Sequence, residues 1–94
     1  MTVLLKEEGM KRCVVVFKSR TQVMYFIELM TNSGAYAKAV ATPKEAKIGC
    51  GISAEIPISN LSLALKIIKK VGFSSFYGVF LIEKRGNRTT TTKI

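Results

Sequence analysis

Arg12-Cys13-Val14-Val15-Val16-Phe17-Lys18-Ser19-Arg20-Thr21 decides the fold. Arg12 to Lys18 is a β-branched run of strand length, apolar at successive positions and so on both faces. Ser19 or Thr21 then offers a hydroxyl to cap a helix. Val23, Phe26, Ile27 and Met30 recur at helical spacing, and Asn32-Ser33-Gly34 supplies a stop. A strand feeding directly into an amphipathic helix is half of a βαβ unit.

Outward from that stretch the pattern repeats. Tyr36 to Ala41 reads as a weak second strand, and Thr42 to Gly49 as a loop by its proline and charges. Gly51 to Ile58 alternates, with Ile52, Ala54 and Ile56 on one face and Ser53 and Glu55 on the other, as a half-buried strand does. Pro57 suits its end. Ser59 or Asn60 caps a second helix, in which Leu61, Ala64, Leu65, Ile68 and Val71 form a stripe and which Gly72 ends. Tyr77 to Glu83 is the last strand. The order predicts an α+β, ferredoxin-like βαββαβ domain: a four-stranded antiparallel sheet, strand order 4-1-3-2, with two helices on one face. Residues 1–11 read as an N-terminal lead, 12–84 as the domain and 85–94 as a flexible basic tail. The first strand is apolar on both faces, yet helices cover only one. A homodimer partner or the N-terminal lead is expected to hide the other.

A chain of 94 residues is the size of one domain. Hydrophobic residues make up 48%, too many for a disordered chain. No apolar run reaches the roughly 18 residues of a membrane span, so no membrane association is expected. The start has no basic region and no long apolar one, so no secretory signal is expected. Two cysteines make no disulfide framework, which points to a reducing cytoplasm.

The charge of +9, from 15 Lys and Arg against 6 acidic residues, suits nucleic acid, an acidic protein or anionic small molecules. Its placement tempers that reading. Lys84, Arg85, Arg88 and Lys93 lie in or near the tail, and Lys66, Lys69 and Lys70 on the outer side of the second helix, where lysines are commonly just solvated. The chain has no histidine, which removes imidazole bases, Ser-His-Asp triads and His-bound metal. No Cys-x-x-Cys is present, and no metal or cofactor is expected. Without a full catalytic set, a carrier or accessory protein fits better than a stand-alone enzyme.

Cys50 is the candidate reactive group. In the expected topology the loop before the third strand and the turn before the fourth return to the sheet edge where the first helix begins. Cys50 then falls near Lys18, Ser19, Arg20 and Thr21, with Phe73 and Phe76 close by. A helix N-terminus and cations favour the thiolate, which is the nucleophilic form. Gly49 and Gly51 leave backbone N–H groups free to approach the sulfur or an atom bound to it. The plain alternative is a small buried hydrophobe at a strand start. Cys13 reads as packing, at the opposite edge and roughly 20 Å away.

Val14 to Thr21, a helix carrying Glu28, then Thr42-Pro43-Lys44-Glu45, then Cys50-Gly51-Ile52 opening a strand: this sequence of features resembles the selenium- or sulfur-carrier-like family of short bacterial proteins. The resemblance covers roughly residues 12–82, and the Pro-Lys-Glu to Cys-Gly spacing is its most specific part. It implies that Cys50 carries sulfur or selenium, as a persulfide or selenosulfide, between donor and acceptor proteins. Gly49 stands where serine is usual in the family, Ser53 where alanine is, and Glu55 where a basic residue is favoured. On the residues' own chemistry, Gly51, Ser19, Arg20 and Thr21 are the groups to stabilise an anion there. A second reading, of another class, is a basic module binding RNA or an acidic protein through the second helix and tail. RNA-binding sheets of this shape use aromatics on their central strands, and only Phe17 is on offer, so nucleic acid ranks lower. A third is a structural or regulatory dimer without chemistry.

Overall fold

The computed structural model describes residues 10–47 and 51–94, with Met10 described for its backbone alone. Strand β1 (Met10–Phe17) leads into helix α1 (Arg20–Asn32). Strand β2 (Lys38–Ala41), a 3-10 turn (Lys44–Ala46) and strand β3 (Ile52–Pro57) follow. A second 3-10 turn (Ile58–Asn60) opens helix α2 (Leu61–Val71), and strands β4 (Phe76–Arg85) and β5 (Arg88–Lys93) complete the chain. Among the described residues the architecture is α+β, with two helices and one antiparallel sheet ordered β2-β3-β1-β4-β5.

Among the described residues five strands, not four, make the sheet. The stretch expected as a flexible tail turns at Gly86-Asn87 and runs back along β4, from Arg85↔Arg88 to Phe80↔Lys93. Gly86 takes a left-handed φ of 56°, as a tight two-residue hairpin requires. The four threonines are β-branched and suit a solvated edge strand. At the other end, Met10 and Lys11, expected in the lead, belong to β1.

Helix ends follow local chemistry. Ser19 is the N-cap of α1 and its side chain accepts from the Gln22 N–H. Gly34, at φ 82°, follows the last turn, and the Ala35 N–H reaches back to the Met30 carbonyl. Gly72 closes α2 at φ 73°. The expected cap of α2 is not made. Asn60 donates to the Tyr36 carbonyl instead, at 3.5 Å, and the 3-10 turn carries the chain into the helix.

The core lies between sheet and helices. Cys13, Val15 and Phe17 from β1 meet Ala54 and Ile56 from β3, Val79 from β4, Val23, Phe26 and Met30 from α1, and Ala64 and Ile68 from α2. Phe17, the aromatic considered for RNA stacking, is therefore buried under the helices.

A second, smaller cluster occupies the opposite face: Val14, Val16, Phe80 and Ile82, with Ala46 buried against them. Both faces of β1 are thus closed within one chain. The sequence pointed to a partner or the N-terminal lead as the cover. Among the described residues the cover includes the β2–β3 connection, whose 3-10 turn lays Ala46 onto the valines. Residues 1–9 fall outside the described chain. Lys47 then turns the chain with φ 53°, the one non-glycine residue at positive φ among those described.

Two further features of this face escaped the alternation pattern. Ser53, expected on a solvated side, is buried, and its hydroxyl lies 2.7 Å from that of Thr42. At Val16/Phe17 the β1–β4 register slips, pairing Val16 with Gly78 but Phe17 with Phe76. The extra residue, Tyr77, swings onto the face opposite α1 and α2 and stacks on Phe80 at 6.3 Å. Lys93 lies over the Tyr77 ring, 4.1 Å from its centroid.

Candidate functional site

The site is built where β1 ends and α1 begins. Antiparallel pairing sets Val15 opposite Ala54. Continued along both strands, that register sets Phe17 level with Ile52 and Lys18 level with Gly51. The Gly51 carbonyl accepts from the Thr42 N–H at 3.2 Å, which closes the base of the β2–β3 loop. The N-terminus of α1 and the entry to β3 therefore share one sheet edge.

A polar network fixes the helix start. Ser19 N–H donates to the Ser75 hydroxyl at 3.2 Å, and the Lys18 N–H donates to the Ser75 carbonyl at 2.8 Å. Gln22 works from the first turn. Its side-chain carbonyl accepts from the Ser75 N–H at 3.0 Å and from the Ser75 hydroxyl at 2.6 Å, while its amide donates to Ser74 at 3.0 Å. The turn before β4 is thereby stitched to α1. Sequence reasoning missed Gln22, Ser74 and Ser75. The available signal was the Ser74-Ser75 pair, placed by topology beside the first turn of a helix.

Lys18, Arg20, Thr21 and Gly51 are exposed, and Ser19 is half-buried. The residues expected to gather beside Cys50 thus present side chains or backbone to solvent at one edge. Cys50 itself, with Ile48 and Gly49, lies outside the described residues. Phe73 and Phe76 pack under the edge, their rings 5.0 Å and 5.8 Å from that of Phe17. Glu55 accepts from Arg12 at 3.0 Å and so serves an ion pair with β1. Among the described residues no group of three or more Cys, Asp or Glu comes together to hold a metal. No helix among them is long and apolar enough to cross a membrane.

Cys13 has a different environment. It sits in the helix-side core between Ile56 and Leu81, and burial pushes its thiol pKa above the ordinary 9.0. A thiol held protonated by burial is a poor nucleophile. The folded state keeps this proton where the unfolded chain loses it. The stability this provides is therefore complete below pH 9.0 and is lost as pH rises further. Cys13→Val is expected to flatten the fall in stability above that pH. Urea melts of both proteins at neutral and alkaline pH check it. Equal slopes would place the thiol in contact with water.

A small α+β protein with a polar, exposed helix-start edge and one buried thiol is the class these features define. The chain matches the family described as "Putative Se/S carrier protein-like" over residues 12–77, well over half its length, and it belongs to that family. No curated protein and no solved structure matches it.

Proposed function

We propose that the protein carries sulfur or selenium on Cys50. The observation that carries this reading is the family match over residues 12–77, which includes both Pro43-Lys44-Glu45 and Cys50-Gly51. We read the frame as a ferredoxin-like βαββαβ unit extended by the edge strand β5. In that frame Gly51 is level with Lys18, one residue before the N-cap of α1. The free N–H groups of the first turn of α1, with Arg20, Thr21 and the Gly51 N–H, favour negative charge at the edge. That charge resides first on the Cys50 thiolate and then on the terminal atom of the loaded form.

The transfer needs no redox partner. The Cys50 thiolate attacks the outer sulfur of a donor persulfide, R–S–SH. The S–S bond of the donor breaks, the donor leaves as the thiolate R–S⁻, and Cys50 holds –S–SH. An acceptor thiolate repeats the exchange in the other direction. A donor carrying R–S–SeH loads selenium by the same step. Neither histidine nor a bound metal enters this chemistry.

Arg20→Ala is expected to slow alkylation of Cys50 by iodoacetamide at neutral pH about fivefold, from the strength of a partly exposed charge near a helix terminus. Lys66→Ala, on the outer face of α2, leaves the rate unchanged. Equal rates in the Arg20 variant and the unaltered protein would contradict the role given to the helix start.

A further inference from the structure

We propose that the outer edge of β5 docks an extended acidic segment of a partner protein by strand addition. The proposal stands apart from the chemistry of Cys50. A two-residue hairpin joins Arg85 to Arg88, so those two form a hydrogen-bonded pair and the ladder alternates from there. Arg88, Thr90 and Thr92 turn their backbone groups toward β4. Thr89, Thr91 and Lys93 turn theirs outward, and among the described residues β5 pairs with β4 alone. The Ile94 N–H, donating to the Val79 carbonyl at 2.8 Å, extends the same alternation.

Exposed edges are normally blunted by proline, by bulges, by brevity or by charges along the strand. The opposite edge, β2, is a strand of four residues. β5 has six residues, no proline and no register break, and its charges stand only at its ends, as Arg88 and Lys93. Four successive threonines between them keep the edge extended without making it apolar.

Charge selects the occupant. Lys84, Arg85 and Arg88 gather at the hairpin, and among the described residues none of them has a carboxylate within ion-pair distance. Glu83, the acidic residue of this hairpin, is held by Lys11 at 3.5 Å. Arg85 and Arg88 are directly opposite each other, an arrangement that like charges disfavour. With Glu83 and Thr90 they line a surface notch of about 300 Å³. An added strand bearing carboxylates would enter the notch and relieve the repulsion. A second copy of the chain brings +9 against +9. Self-pairing is therefore the disfavoured occupant.

The test is an amide-resolved NMR titration of the full chain with three probes. These are a capped hexapeptide alternating valine and glutamate, its valine–lysine counterpart, and a single-stranded RNA hexamer. The acidic peptide is expected to shift the Thr89, Thr91 and Lys93 amides and to slow their hydrogen exchange, leaving the β2 amides unchanged. Thr91→Pro removes one outward N–H without touching the β4 ladder. It is expected to weaken the acidic peptide about tenfold. Arg85→Gln with Arg88→Gln, which leaves every backbone donor in place, is expected to weaken it at least as much. Four results would each overturn the proposal. They are shifts confined to other surfaces or absent at millimolar peptide, equal binding of the lysine peptide, tighter binding of the RNA at the same amides, and protection of β5 that grows with protein concentration alone.

Discussion

Phe17→Ala is expected to destabilise the fold by about 3–5 kcal/mol, the usual cost of truncating a buried aromatic. Phe17 has no solvent exposure, and its ring meets those of Phe26, Phe73 and Phe76 at 5.4, 5.0 and 5.8 Å. These rings come from β1, α1, the turn before β4 and β4 itself. Removing the central one leaves the other three around a void, and each lost pair adds to the transfer cost. Domains of this size have about 5–15 kcal/mol in total, so the variant lies near the threshold of unfolding. A melting temperature lower by roughly 15–30 °C is the expected reading. Tyr25→Ala is the comparison. Tyr25 also touches Phe73, at 5.8 Å, but is 47% exposed, and its loss is expected to cost under about 1 kcal/mol. A similar small loss for Phe17→Ala would mean that the aromatic group is not the centre of the core. The effect bears on function because Phe17 directly precedes Lys18 and Ser19, so the same ring anchors the edge where α1 begins.

Much of the fold was legible because apolar spacing and capping chemistry agree. The valine run of β1, the cap at Ser19 and the left-handed Gly72 each have a local cause. Strand β5 was not legible from hydropathy: Arg88 to Lys93 contains no apolar residue and buries almost nothing. Its signals are of another kind, a glycine at a two-residue turn and a run of β-branched threonines. The cover of the second sheet face was hidden for a different reason. Ala46 is small and sits among charges, and only the folding back of the Pro43–Lys47 loop makes it a core residue. Ser53 was misplaced because alternation specifies a face and not its contents. The partner of that serine is a hydroxyl from the neighbouring chain segment, Thr42. Tyr77 changed faces through a register slip that no periodicity encodes. At the site, chain order alone set the start of α1 and the entry to β3 on one edge. Gln22, which ties the Ser74-Ser75 turn to that edge, is a contact across 53 residues and carries no local mark.

The largest expected functional effect is that of Cys50→Ser. The carrier reading assigns the transferred atom to one sulfur. A hydroxyl at that position is neither ionised at neutral pH nor able to hold a sulfane bond. Sulfur loading should therefore be lost completely, not reduced. The thermal melt is expected to change little, since the exchange alters a single side-chain atom at a position between two glycines. Cys13→Ala should do the reverse. It shortens a buried side chain in the core, lowering stability, and leaves loading intact. The measurement that bears most directly on the account is the intact mass of the protein incubated with a persulfide donor, without reductant, followed by peptide mapping. The account predicts one added sulfur atom, located on Cys50, removed by reductant and absent from Cys50→Ser. An unmodified Cys50 under these conditions, or added sulfur that persists in Cys50→Ser, would contradict it.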